Sequence, residues 1–146
     1  MVEPKKSAFI GTWRLLSIHT ETSDSETVNP LGRTSEGRLN YDKDGTMAVQ
    51  LMNIDRPLFK SDDPFSASDE ELRAAFHGYV AYYGSYSFDP SEGVVTHHIS
   101  GASIPNWIGS EQKRYYEFSE NQLMLKTPPI TLHGINSVRT LVWERL

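Results

Sequence analysis

Polar and apolar residues alternate with a period of two along most of this chain. Over residues 8–22, Trp13, Leu15, Ser17 and His19 share one face of an extended segment, and Arg14, Leu16, Ile18 and Thr20 the other. The β-branched and aromatic content predicts a strand. Residues 22–27 are polar and predict a loop. Residues 37–41 and 46–53 flank Asp42-Lys43-Asp44-Gly45, an acidic turn ending in glycine, which predicts a hairpin. Leu39 and Tyr41 point together. Across the turn, either Met47, Val49 and Leu51 or Ala48, Gln50 and Met52 face the core, and the pattern leaves both open.

The period changes once. Residues 56–67 form a loop with two prolines, and Ser68 then opens a helix. Glu71 three residues later completes a capping box. Leu72, Ala75, Phe76, Tyr79, Val80 and Tyr83 fall on one apolar stripe, so the helix is expected to end between Gly78 and Tyr83. Leu72, Phe76 and Tyr79 are expected to contact the rest of the domain. From Gly84 the period of two returns, with Tyr86 and Phe88 on one face. After the turn at residues 89–93, Val95, His97 and Ile99 share a face, as do Arg114, Tyr116 and Phe118 later on. Leu123, Leu125 and Thr127 precede Pro128-Pro129, which ends their strand, and Arg139, Leu141, Trp143 and Arg145 alternate to the end.

About eight strands with short connections and one mid-chain helix make an all-β meander. Such a meander hides its edges best by closing into an up-and-down antiparallel barrel. A barrel of that size holds a filled core or one small ligand. At 146 residues the length suits one domain, spanning 1–146.

Composition removes several function classes. The chain has no cysteine, which excludes disulfides, thiolate metal sites and a cysteine nucleophile. Its formal net charge of -5 argues against a nucleic-acid partner, because phosphate binding needs a basic surface. No apolar run reaches membrane-spanning length, and the charged first ten residues lack a secretory apolar stretch. The cytoplasm is the expected compartment. No phosphate-binding loop, dinucleotide fingerprint, nucleophile elbow or metal-ligating histidine pair occurs, so neither cofactor nor metal is expected.

Gly11-Thr12-Trp13 at the start of the first strand resembles the Gly-x-Trp signature of lipocalins. In that fold the tryptophan plugs the barrel floor and an arginine from the last strand packs across it. The resemblance assigns the plug to Trp13, with Arg139 and Arg145 both candidates, since both share a face with Trp143. Further segments are similar to the small stand-alone lipocalin-like domain family of bacteria and fungi. They are residues 45–52, Gly84-Ser85-Tyr86, Thr96-His97-His98, Pro105-Asn106-Trp107-Ile108-Gly109 with Gln112 and Arg114, and Leu141-Val142-Trp143-Glu144-Arg145. The resemblance implies a closed antiparallel barrel, and some members of that family accompany natural-product pathways. Secreted lipocalins carry a signal, disulfides and a helix after the eighth strand. The mid-chain helix and absent cysteines here argue against a secreted transport role.

Three groups of side chains are candidates for chemistry. His97 faces the lumen if Val95 and Ile99 do, and an imidazole there suits a general acid or base. The alternative is a buried histidine hydrogen-bonded to a tyrosine or a carbonyl. Arg114 shares a face with Tyr116 and Phe118; it suits a ligand carboxylate or enolate, or else an internal ion pair. Tyr41, Tyr83, Tyr86 and Tyr116 are phenols able to donate to a ligand carbonyl, Tyr86 being the catalytic candidate among them, or are core with satisfied hydroxyls. Gln50 and Met52 are further ligand-binding candidates, and Trp107 in its loop is placed to close a barrel mouth.

Three functions fit these features. The first is a barrel binding a small apolar or aromatic molecule. The second is a cofactor-free isomerase, cyclase or dehydratase on a polyketide- or terpenoid-like substrate. There, His97 would be the acid/base, with Arg114 and a tyrosine stabilising an enolate. The third is a filled barrel acting as a protein-interaction module. Lumen volume separates the third from the others, and the oligomeric state is left open.

Overall fold

The alternating segments are strands in the computed structural model, which describes residues 6–22, 35–132 and 134–146. Past Thr22, the loop expected over residues 22–27 lies outside the described residues. The strands are β1 (Gly11–Thr22), β2 (Ser35–Tyr41), β3 (Thr46–Asn53), β4 (Tyr79–Asp89), β5 (Val94–Ala102), β6 (Glu111–Ser119), β7 (Gln122–Lys126), β8 (Ile130–Leu132) and β9 (Ile135–Arg145). Helix α1 covers Lys6–Phe9 and α2 covers Asp69–His77.

Strands β1 to β7 pair antiparallel in sequence order, β7 pairs with β9, and β9 pairs with β1. That closes the sheet into an up-and-down barrel, with β1 joined to β2 through Gly11 to Arg14 and to β9 along the rest of its length. Strand β8 adds no stave to the ring. It pairs with Ile135 to Ser137 of β9, and β7 pairs with Thr140 to Glu144. The two are one interrupted stave, broken at Pro128-Pro129, where no backbone N–H is available for the ladder.

Closure turns one face of every strand inward. Leu39 and Tyr41, Met47, Val49 and Leu51, Tyr82 and Tyr86, Val95, His97 and Ile99, Leu123 and Leu125, and Leu141 and Trp143 are all buried. On β3 this selects the set containing Val49, and Gln50 and Met52 consequently face out. Strand β1 departs from simple alternation. Its pairing with β9 shifts between Leu15 and Ser17, and the bulge inverts the phase. Trp13 and Leu15 point inward before it, whereas Thr20 is the buried residue after it and Ser17 and His19 are exposed. The expected four-residue face is therefore broken at its middle.

Helix α2 begins as expected. The Ser68 hydroxyl accepts from the Glu71 N–H at 3.2 Å, and the Glu71 carboxylate accepts from the Ser68 N–H at 3.0 Å. It ends at His77, with Gly78 as its C-cap. Tyr79, Val80 and Tyr83 instead belong to β4, where Tyr79 to Ser85 pair with β3. The apolar stripe was thus two elements in succession, one turning at 3.6 residues and one alternating at two. None of α2 is buried, and Leu72 and Phe76 are 48% and 51% exposed, so this helix covers its apolar stripe only in part. Helix α1 was not expected either. It places Phe9 fully inside the closed end of the barrel.

That closed end is aromatic. The Phe9 ring lies edge-on to Tyr41, Tyr116 and Phe118, at centroid distances of 5.5, 4.9 and 4.9 Å, and it is tilted against Phe88 at 5.0 Å. The Trp13 indole N–H donates to the Phe9 carbonyl at 2.9 Å. Arg145, not Arg139, is the arginine of the plug. Its guanidinium carbon sits 4.2 Å from the Trp13 ring centroid, and its N–H groups donate to the Ala8 and Ile10 carbonyls. Gly11 makes room for it: φ is +140°, and a Cβ there would lie 2.6 Å from Arg145 Nη1.

Trp13→Ala is expected to cost roughly 3–5 kcal/mol in urea unfolding, the range for large aromatic truncations in cores. Phe76→Ser, on the half-exposed helix, is expected to change stability by less than about 0.5 kcal/mol. A reversed order would place the core at the wrong end of the molecule.

Candidate functional site

Above the aromatic floor the lumen is not filled. A cavity of about 260 Å³ remains, walled by Leu39, Val49, Leu51, Leu125, Leu141 and Trp143. Polar groups enter it at a few points: Tyr82 from β4, His97 from β5, Gln112 and Arg114 from β6, and Arg139 from β9. Trp107 lines it from the turn at Pro105–Trp107 and meets Tyr82 edge-on at 6.0 Å. The alternation that puts His97 and Arg114 on inward faces brings them to one cavity.

His97 is 2% exposed, and both its ring nitrogens are engaged. Tyr41 Oη lies 2.6 Å from Nε2, and Tyr82 Oη lies 2.7 Å from Nδ1. A neutral imidazole has one N–H and one lone pair, so one tyrosine accepts and the other donates. Burial is the main cause that pushes the His97 pKa down to about 3, and the positive charges of Arg114 and His98 add to it. Burial also raises both phenols, Tyr41 the more strongly. The Tyr41–His97–Tyr82 chain is therefore neutral at pH 7. A general base needs a free lone pair and a pKa near the working pH. His97 has neither, and its geometry matches the hydrogen-bonded buried histidine.

The two lumen arginines differ. One Arg114 Nη donates to the Lys113 carbonyl at 2.8 Å. The Arg139 backbone N–H donates to Thr127 Oγ1 at 2.9 Å, while its side-chain Nε and Nη2 are buried with no hydrogen-bond partner. Burial foremost, and then the neighbouring Arg114 charge, lower the Arg139 pKa to about 10, so the guanidinium stays charged at neutral pH. The Trp143 Nε1 is likewise buried and unpartnered, on a side chain lining the same cavity. Sequence reasoning treated Arg139 only as a plug candidate, and it missed Tyr82, although alternation read backwards from Gly84 and Tyr86 places Tyr82 inward.

The remaining candidates lie elsewhere. Tyr86 donates from its hydroxyl to the Asp42 carbonyl at 2.9 Å and packs on Tyr41 at 4.7 Å, near the floor and away from the cavity lining. Tyr116 packs around Phe9 in the same floor cluster. Tyr41 reaches the site only through His97. Gln50 and Tyr83 border an open depression on the outer wall, and Met52 another beside Glu36 and Arg38. Tyr83 is 60% exposed because odd positions of β4 face out; its ring covers Gly101 on β5, where a Cβ would come within 2.5 Å of it.

A closed antiparallel ring plugged at one end by a tryptophan under an arginine, with a cavity at the other, is a lipocalin-like barrel. The chain belongs to the lipocalin-like domain family, whose model matches residues 10–146. Over 107 residues, 68% of this chain and 96% of the other, it is 33% identical to an Aspergillus oryzae protein named 4'-hydroxy-3'-methoxypropiophenone carrier protein ppsC. Among solved structures, bovine odorant binding protein in complex with a selenium-containing odorant aligns at 13% identity and a TM-score of 0.48, over 100% of this chain and 75% of that one.

The perturbed histidine predicts a pH signature. Between about 6.5 and 3 the unfolded chain binds a proton at this residue that the folded protein does not, so stability falls as the pH drops through that window. At pH 4.5 the linkage is worth roughly 2–3 kcal/mol. The deficit of His97→Gln relative to the parent, measured in urea at pH 7, should narrow by about that amount at pH 4.5. A deficit that does not change with pH would mean that His97 titrates as an ordinary surface histidine.

Proposed function

We propose that this protein binds and carries a small aromatic or apolar molecule in the lumen of its barrel. The observation that carries this reading is the unfilled cavity of about 260 Å³, apolar on most sides with a few polar groups at fixed places. Ligand sites are built in that way, and this one falls just below their usual range of roughly 300–1,000 Å³. Its size suits a single substituted ring, since an apolar cavity of about 150 Å³ already accepts benzene. The relative named as a carrier of an aryl ketone supports a ligand of that class. His97, saturated and neutral, favours a binding barrel over an acid/base enzyme. The open lumen favours it over a filled interaction module.

The test is binding of 4'-hydroxy-3'-methoxypropiophenone, followed by quenching of tryptophan fluorescence. Trp107 and Trp143 both line the cavity and report directly. Val80→Trp should occupy the space and weaken binding at least tenfold, while Gln50→Ala and Tyr83→Ala on the outer wall leave it unchanged. The opposite pattern would move the ligand to the outer depression and end the lumen reading.

A further inference from the structure

We propose that the lumen recognises an oxyanion: its ligand is a small aromatic molecule carrying a carboxylate, held side-on by Arg139 with Arg114 as a second cation. This rests on the lumen-binding reading and narrows its ligand class.

Three observations converge. First, the buried and unpartnered atoms of Arg139 are Nε and Nη2. Their N–H bonds run parallel along one edge of the guanidinium, the edge that takes both oxygens of a carboxylate. Second, the charge in the lumen is one-sided. Among the described residues no aspartate or glutamate lines the cavity, whereas Arg114 and Arg139 both do. The two cations are close enough for Arg114 to lower the pKa of Arg139. A buried cation facing another cation is destabilised unless an anion joins them. The neutral Tyr41–His97–Tyr82 chain supplies none.

Third, a further unpartnered group is a donor too. The Trp143 indole N–H is buried and unpartnered on the cavity lining, whereas the Gln112 amide is already engaged, donating to Ser110 Oγ at 3.3 Å. A cavity whose unpartnered groups are donors selects a ligand rich in acceptors. The carbonyl of a neutral ketone offers one uncharged oxygen, which leaves the Arg139 charge uncompensated. A carboxylate offers two oxygens and a full charge. The apolar walls of Leu39, Leu51 and Leu141 then require an apolar body behind the anion, which excludes a free inorganic ion as the fitting occupant.

The experiment compares 4-propylbenzoate with 4-propylbenzamide by calorimetry at pH 7.5. These probes share shape and size and differ in charge. The benzoate is expected to bind at least tenfold more tightly. In Arg139→Met the two should bind alike, and Arg139→Lys, which keeps the charge without the fork, should restore only part of the preference. Circular dichroism confirms folding; if Arg139→Met does not fold, the parent benzoate-to-benzamide ratio and its reduction in Arg114→Met decide the matter. Equal binding of the two probes, or tighter binding of the amide, overturns the proposal. A preference that survives Arg139→Met also overturns it. If 4'-hydroxy-3'-methoxypropiophenone binds and is displaced by Val80→Trp while the benzoate shows no advantage, lumen binding stands and the oxyanion site falls. If none of the three compounds binds, both fall.

Discussion

The contact between Arg145 and Trp13 joins the last strand of the chain to the first, and the rest of the barrel depends on it. The guanidinium lies over the indole and donates to two carbonyls of the segment leading into β1. A cation over an indole face is favourable in itself, and more so when both are shielded from water. The two carbonyls belong to residues preceding the sheet, where no ladder bonds satisfy them. One side chain thus covers the floor, ties down α1 and sits at the β1–β9 seam. Gly11 shows how tightly the joint is built, since any side chain there would displace the guanidinium.

Closure at that seam decides what the alternation means. In an open sheet, two half-apolar faces such as those of β3 are equivalent. In a ring only one set points inward, and neighbouring strands must agree. Leu39 faces Val49 across the β2–β3 ladder, and Val49 faces Tyr82 across β3–β4. Once Leu39 and Tyr41 are inside, Gln50, Met52 and Tyr83 are outside. Strand order, the acidic hairpin, the Ser68 capping box and the sharing of one face by Val95, His97 and Ile99 and of another by Arg114, Tyr116 and Phe118 were legible in the sequence, because each rests on local spacing. The phase of β3 was not, because it is set by partners. The bulge after Leu15 left no local mark either. Tyr79, Val80 and Tyr83 fit a helical stripe and a strand equally well over so short a stretch, and only pairing with β3 separates the two.

The floor and the cavity are two different solutions to filling one barrel. Below, Phe9 enters from outside the sheet and lets Tyr41, Phe88, Tyr116 and Phe118 pack edge to face, an arrangement that suits aromatic quadrupoles. Above, leucines and valines share the inward faces with a few polar groups, Trp107 and Trp143, and space is left between them. His97 marks the boundary. Tyr41, which bonds its Nε2, belongs to the floor, and Tyr82, which bonds its Nδ1, belongs to the cavity wall. Anchoring an imidazole on both sides fixes its ring plane and holds the two phenols apart at a set distance.

That anchoring also bears on proton transfer at His97. For His97 to take a proton, the tyrosine hydroxyl that donates to its lone pair would have to turn and accept, and the new charge would form in a buried site beside the positive charge of Arg114. Each of those conditions disfavours the imidazolium, and they act together. The charged groups of the lumen stand in the opposite situation. Arg139 keeps its proton at neutral pH yet has two N–H groups with nothing to bond. A group that is charged, fixed and unsatisfied stabilises an anion that arrives from outside, and it needs no proton transfer to do so. The lumen therefore pairs a neutral, saturated wall with a charged, unsaturated one.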